Sequence, residues 1–191
     1  MGLDITSYSK VKLIQGDYED IGCLWEWMEK QGLGDTVLRT NESFPIQSEG
    51  LEDGIYTYEN SCDTSFRCGY SGWSNIRDKL SKACGYKKAN IIDISLTNPE
   101  ILADEGWKSS VEARPYQQSA FNKDGSTRLN LLLNFSDCEG IINTTCCKII
   151  AEDLAWLEET KVLDEDLLAI VSDLRDMFEF AGYHEGVVQF H

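Results

Sequence analysis

Alternating apolar and polar residues in the first part of the chain predict short strands. Residues 1–14 fit one half-buried strand, and residues 55–59 (IYTYE) and 65–70 (SFRCGY) fit two more. Glycine and proline positions predict a long loop over residues 32–54. Residues 21–30 show both helical and strand spacing, so their assignment stays open.

Apolar residues spaced three and four apart predict three helices. They span residues 73–84, 145–158 and 166–182, and Asp164 and Gly182 are the expected N-cap and stop of the third. The predicted buried face of the second helix consists of Ile149, Ile150, Leu154 and Leu157.

A nearly continuous apolar run, LNLLLNF over residues 129–135, predicts the central strand of the sheet. A tight polar turn over residues 136–140 follows it, and residues 187–191 (VVQFH) predict a terminal strand. Residues 89–96 predict another short strand. Residues 95–128 are poorly patterned, which indicates a long loop or an insertion.

Together these elements predict an α+β fold, a mostly antiparallel sheet with helices packed on one face. The 191 residues suit a single domain over 1–191, and an apolar content of 42% is enough for a core. The sequence contains no apolar run of the roughly 18–20 residues that cross a bilayer, and residues 1–14 lack the pattern of a signal peptide. We therefore expect a cytoplasmic protein with no membrane contact.

The seven cysteines include no C-x-x-C pair, and their number is odd. This pattern predicts neither a disulfide framework nor a zinc site, and no motif indicates a cofactor. The five tryptophans make a homodimer interface one option, because some of them could be buried between subunits.

Charge is distributed unevenly along the chain. The net charge of −16 argues against direct nucleic-acid binding, which requires neutralisation of phosphates. Residues 151–191 hold eleven acidic residues against Lys161 and Arg175, a net charge of −9. Residues 67–88 hold six basic residues against Asp78, a net charge of +5.

The basic segment contains a glycine- and serine-rich bend before the first predicted helix. A helix start offers unpaired N–H groups, glycines let a ligand approach the backbone, and an aromatic ring can stack on a base. We predict a site for an anionic small molecule at Arg67, Tyr70, Ser71, Trp73, Ser74 and Arg77. The alternative is a capped strand–helix connection, with Ser71 or Ser74 as the N-cap and the lysines on a solvated face.

A second polar group follows the run at 129–135. The predicted ligand-binding residues here are Asn134, Ser136, Asp137 and His191. Alternatives are a tightly structured turn, a Cys138–His191 nucleophile and base, or a cation held by Asp137 and Glu139.

Several short motifs resemble a family of small proteins from tailed phages, prophages and bacteria. They are MGLDI (1–5), Tyr8-Ser9, Phe66-Arg67, GYSGW (69–73), Arg77, NFSDCEG (134–140) and the final FH (190–191). The resemblance covers roughly residues 1–14, 50–84, 130–142 and 186–191 and leaves 95–128 without a counterpart. It implies a phage-type accessory protein that acts against host defence by binding a nucleotide signal or an effector protein. It also favours convergence of Arg67, Ser71, Asp137 and His191.

Three functions remain open from the sequence. The first is sequestration of an anionic, nucleotide-derived small molecule at the basic bend. The second is imitation of nucleic acid by the acidic segment, which would inhibit a host nuclease or other defence effector. The third is a small hydrolase that uses Asp137, Cys138, Glu139 and His191.

Overall fold

The computed structural model describes residues 2–16, 26–27, 29, 35–41, 44–88, 116–118, 128–136 and 139–191. The strands are β1 (Gly2–Tyr8), β2 (Lys12–Gln15), β3 (Asp35–Leu38), β4 (Gly54–Thr57), β5 (Phe66–Gly69), β6 (Tyr86–Lys88), β7 (Tyr116–Gln118), β8 (Gly140–Ile142) and β9 (Val187–Phe190). The helices are α1 (Tyr70–Ala83), α2 (Asn130–Leu133), α3 (Thr144–Thr160) and α4 (Glu165–Tyr183). The α+β class and the antiparallel strands are confirmed.

The central sheet has the order β5-β1-β9-β8, with every pairing antiparallel. Successive residues of a strand point to opposite faces, so each strand contributes to two cores. Val188, Phe190 and Ile142 join the main core on the helical face. Val187 and Ile141 join a smaller core on the opposite face. The register of this sheet therefore decides which side chains remain at its surface.

Helices α1, α3 and α4 cover the first face, as predicted. Leu154 of α3 and Leu174 and Phe178 of α4 are fully buried there, together with Trp73 of α1. Within the described residues, no helix is long and apolar enough to span a membrane.

A second sheet with the order β2-β4-β3 supplies the smaller core on the other face. The predicted single strand over residues 1–14 is therefore two strands in two sheets, separated at Lys10, which has a φ of 47°. The predicted loop over residues 32–54 contains β3, which pairs with β4. Strand pairing overrides the local glycine and proline signals in this segment.

The predicted central strand over residues 129–135 is wrong: α2 occupies this segment. Leu129 starts it in the left-handed conformation with a φ of 60°, and its N–H donates to Asp153 Oδ2 at 2.7 Å. A short apolar run can be buried as a strand or as a helix, and periodicity does not distinguish the two.

The two long helices agree with their predictions except at two positions. Asp164 is the N-cap of α4 and accepts a hydrogen bond from Leu167 N at 2.8 Å. Ile149 is 44% exposed, so it does not lie on the buried face. Gly182 lies inside α4, which continues to Tyr183, so it does not stop the helix. A Cβ at this position would come within 2.9 Å of Lys148 N in α3. This glycine permits close packing of α3 against α4.

Some predictions fall on residues outside the described ones. They are those for most of 21–30, for 89–96 and for most of 95–128. Within the last segment β7 is described, and it pairs with β6. The single-domain assignment for 1–191 stays a prediction.

Substitution of leucines in α2 tests the correction from strand to helix. Leu132 is fully buried and Leu131 is half-buried. Leu132→Ala should lower the free energy of unfolding by about 2 to 5 kcal/mol, and Leu131→Ala by less than about 1.5 kcal/mol. Urea denaturation of both variants measures the difference. Equal losses would favour a strand buried on both faces.

Candidate functional site

The predicted loop at residues 69–74 is the first turn of α1. The helix begins at Tyr70, and its N-cap is Gly69, which provides no side-chain hydrogen bond. Ser71 and Ser74 are therefore not the N-cap, and both lie inside the helix. The N-cap residue itself therefore satisfies none of the backbone N–H groups of this turn through a side chain.

Two of the predicted ligand-binding residues are buried. Trp73 is 0% exposed, and its ring packs against Phe66 and Phe190 at centroid distances of 6.1 and 5.8 Å. Arg77 is 5% exposed, and its Nη1 donates to the carbonyl of Phe135 at 3.0 Å. Neither side chain is available to stack on or pair with a ligand at the surface, which corrects the prediction for both.

The remaining four residues of the bend reach the surface. Ser71 is exposed, Ser74 is half-buried and Tyr70 is 36% exposed. The side chain of Arg67 is 81% exposed, and its Nε lies 3.0 Å from Asp4 Oδ1 on the neighbouring strand. The positive charge of Arg67 is thus matched by a carboxylate, although solvent can still reach it.

Lys79 is likewise paired, with its Nζ 3.4 Å from Asp164 Oδ2. The pKa of Asp164 is lowered, first by the hydrogen bond from Leu167 N–H and then by Lys79. Arg67, Arg77 and Lys79 therefore contact acceptors in three different segments and do not form one site.

His191 lies on the other side of Asp4. The two residues exchange backbone hydrogen bonds of 2.8 and 2.9 Å, and His191 Nε2 lies 3.1 Å from Thr6 Oγ1. Arg67, Asp4 and His191 consequently form one polar row across three neighbouring strands, on the face opposite the helices. We call these three residues the polar row.

Asn134 and Ser136 of the second predicted group lie directly after α2, and both form hydrogen bonds with neighbouring residues. Asn134 Nδ2 donates to Asn130 Oδ1 at 2.6 Å, and the buried Ser136 accepts a hydrogen bond from Glu139 N at 3.1 Å. Glu139 pairs with Arg39, with 3.1 Å between Oε1 and Nη1. Asp137 and Cys138 lie outside the described residues, so the proposed nucleophile and cation ligands there stay predictions.

Buried cysteines have thiols that resist ionisation. Burial raises the pKa of Cys84 to about 12 and raises the pKa of Cys147 well above its usual value. The pKa values of Cys68 and Cys146 are also raised by burial. These four thiols stay protonated at neutral pH and are poor nucleophiles.

In the part of the chain that the structure describes, no three His, Cys, Asp or Glu side chains are placed to hold a metal ion.

The acidic segment forms a continuous feature on α4. Five carboxylates fall within an arc of about 140° on its outward side, given 100° per residue. They are Glu165, Asp166, Asp173, Asp176 and Glu179, and we call them the acidic stripe. Sequence reasoning located the negative charge but not the single helix face that presents it.

One arginine neutralises one end of the stripe. Arg175 pairs with Asp176 and Glu179 of the stripe and with Glu158 of α3. Asp166 and Asp173 are exposed and form no ion pair with any residue that the structure describes. The other end of the stripe therefore keeps its negative charge.

Comparison of the chain with protein-family models, with curated proteins and with solved structures finds no match.

Two arginine variants separate a structural role from a ligand-binding role. Arg77→Met should lower the free energy of unfolding by about 1 to 3 kcal/mol, because the Phe135 carbonyl loses a buried donor. Arg67→Gln should change it by less than about 0.5 kcal/mol, because its ion pair is solvent-exposed. Thermal and urea unfolding check both values. An Arg77→Met variant with an unchanged free energy of unfolding would show that the hydrogen bond from Arg77 to Phe135 does not stabilise the core.

Proposed function

We propose that the protein is a binding protein whose acidic stripe occupies the basic surface of a partner, in place of nucleic acid. The observation that carries this proposal is the alignment of five carboxylates on one face of α4, with Asp166 and Asp173 unneutralised by the described residues. A row of fixed negative charges is what a surface selected for phosphates attracts.

The rigid mounting of the stripe supports the proposal. Leu167, Val171, Leu174, Met177 and Phe178 bury the inner side of α4 over its whole length. The carboxylates are therefore held in position before a partner arrives, and binding orders few backbone groups. A flexible acidic tail would have to lose that conformational entropy on binding.

Net charge supports fast association with a basic partner. The chain carries a charge of −16, and its acidic C-terminal segment contributes −9. Long-range attraction of this kind raises association rates and weakens steeply as salt is added. An acidic face also increases solubility without any partner. The binding test must therefore compare the stripe variant with a control variant that loses the same number of charges elsewhere on the chain.

The resemblance to phage and prophage proteins supplies the setting for the proposal. The partner would be a nuclease or another nucleic-acid-binding defence effector in the bacterial cytoplasm. Inhibition would follow from occupancy and would require no turnover, and a homodimer stays a prediction. Hydrolysis by Asp137, Cys138, Glu139 and His191 has no specific geometric support among the described residues.

A double variant with a matched control tests the stripe. Asp166→Asn with Asp173→Asn removes two charges from it, and Glu52→Gln with Asp63→Asn removes two exposed charges elsewhere. Affinity for a captured bacterial partner should fall about 5- to 30-fold for the stripe variant, and far less for the control. Binding is measured at low and high salt, with duplex DNA as competitor.

The proposal makes two further demands on that experiment. Duplex DNA must displace the partner, and added salt must weaken the complex. A complex that survives high salt, ignores DNA or treats both variants alike would contradict it.

Binding of an anionic, nucleotide-derived small molecule is the second candidate function. It is favoured by the start of α1, where Tyr70 and Ser71 reach solvent, Arg67 lies three residues before Tyr70 and the N-cap Gly69 has no capping side chain. The burial of Trp73 and Arg77 weakens it.

Calorimetric titration with cyclic and linear nucleotides tests this second candidate. We expect saturable binding heat with at least one nucleotide. Arg67→Ala should lower the affinity about tenfold, because a charge-assisted contact is lost. Because Arg77 is buried, Arg67 is the variant that tests the ligand without unfolding the core. No heat with any nucleotide would remove the candidate.

A further inference from the structure

A cleft of about 200 Å³ opens beside the polar row, where the two sheets meet. Its walls come from three separate segments: residues 37 and 39 at the end of β3, residues 139–140 at the start of β8 and residues 189–191 at the end of β9. These segments are brought together only by the fold, and neither the acidic stripe nor the start of α1 contributes to the cleft.

We propose that this cleft binds a small anion through a carboxylate or phosphate group. A space of about 200 Å³ is ample for such a group, since one water molecule takes about 30 Å³ of liquid volume. The cleft is open to solvent, so its volume sets the size of the group that it holds and not the size of the whole ligand. Its lining shares no residue with the start of α1, so the site is distinct from the nucleotide site considered above.

The side chains at the rim supply the recognition chemistry. Arg39 presents a guanidinium whose side chain is 56% exposed. His191 lines the same cleft with an imidazole whose Nε2 lies 3.1 Å from Thr6 Oγ1, which leaves Nδ1 for a ligand. Guanidinium and imidazole N–H groups are the donors that recognise carboxylate and phosphate oxygens. Glu139 beside Arg39 is an acceptor, so a hydroxyl group on the ligand would also find a partner.

The cleft is held in shape before any ligand binds. Gln189 bridges the sheets, because its Nε2 donates to the Val37 carbonyl at 2.7 Å and its Oε1 accepts from Thr36 Oγ1 at 3.2 Å. On the other wall, Asn41 Nδ2 donates to the Glu139 carbonyl at 3.1 Å. Both contacts fix the backbone next to the ligand groups, so binding requires little rearrangement.

The test is a titration followed by nuclear magnetic resonance, with inorganic phosphate and succinate as probes and sodium chloride as the ionic-strength control. Few ligand atoms imply roughly millimolar affinity, so each probe is added to about 50 mM. The backbone amides of Gln189 and His191 and the Arg39 Nε–H should shift and saturate with at least one probe but not with chloride. Saturation by phosphate alone or by succinate alone identifies which group the cleft prefers.

Two arginines provide a matched pair of variants, because each is exposed and forms an ion pair with a carboxylate. Arg39→Gln should raise the dissociation constant about tenfold or more, and Arg67→Gln less than about twofold. His191→Gln should also weaken binding, and the same spectra report whether each variant is folded. Three outcomes would overturn the proposal: the shifts do not saturate, chloride produces the same shifts, or Arg67→Gln abolishes them as fully as Arg39→Gln does.

Discussion

The position of β1 between β5 and β9 is the constraint on which the rest of the structure depends. Its backbone pairs on both sides, so its side chains must alternate strictly between the two faces. Leu3 and Ile5 enter the main core, and the alternating residues Asp4 and Thr6 face the other way. A shift of one residue would bury Asp4 without its partners. This register therefore fixes the core and places the polar row on the surface at once.

The fold also uses a buried cation, Arg77, to connect two segments of the core through a hydrogen bond. Arg77 links α1 to the carbonyl of Phe135 just after α2, and the other end of that short helix is held by the acceptor Asp153. A buried guanidinium is tolerated only where acceptors meet it, so this residue serves the core. Arg67 on the adjacent strand has the same charge and lies at the surface. The sequence alone does not separate the two, because burial is decided by tertiary contacts.

Sequence reasoning predicted the parts of the fold in which helical periodicity continues over many residues and a clear capping residue is present. Helix α4 shows an apolar stripe over 19 residues and an N-cap at Asp164, so local information determines it. Segment 129–135 is too short and too uniformly apolar for that, and its helix depends on Asp153, which lies 24 residues beyond Leu129. The candidate sites were less predictable still. His191 and Arg67 were selected from sequence, but Arg39 was not, because only the contact between the two sheets brings β3 towards the end of β9.

The pairing of cations explains why so acidic a chain presents its charge unevenly. Lys10 pairs with Glu59, Arg39 with Glu139 and Arg67 with Asp4, so each of these three cations is matched by a carboxylate. Carboxylates without such partners remain on α4, where Arg175 already contacts three acids and has little capacity for more. Exposed unpaired charge costs little in water but gains strongly from an opposite surface. Arg39 at the cleft would therefore recognise a small anion through the placement of its donors, and the unpaired carboxylates of α4 would attract a basic surface through long-range electrostatic forces.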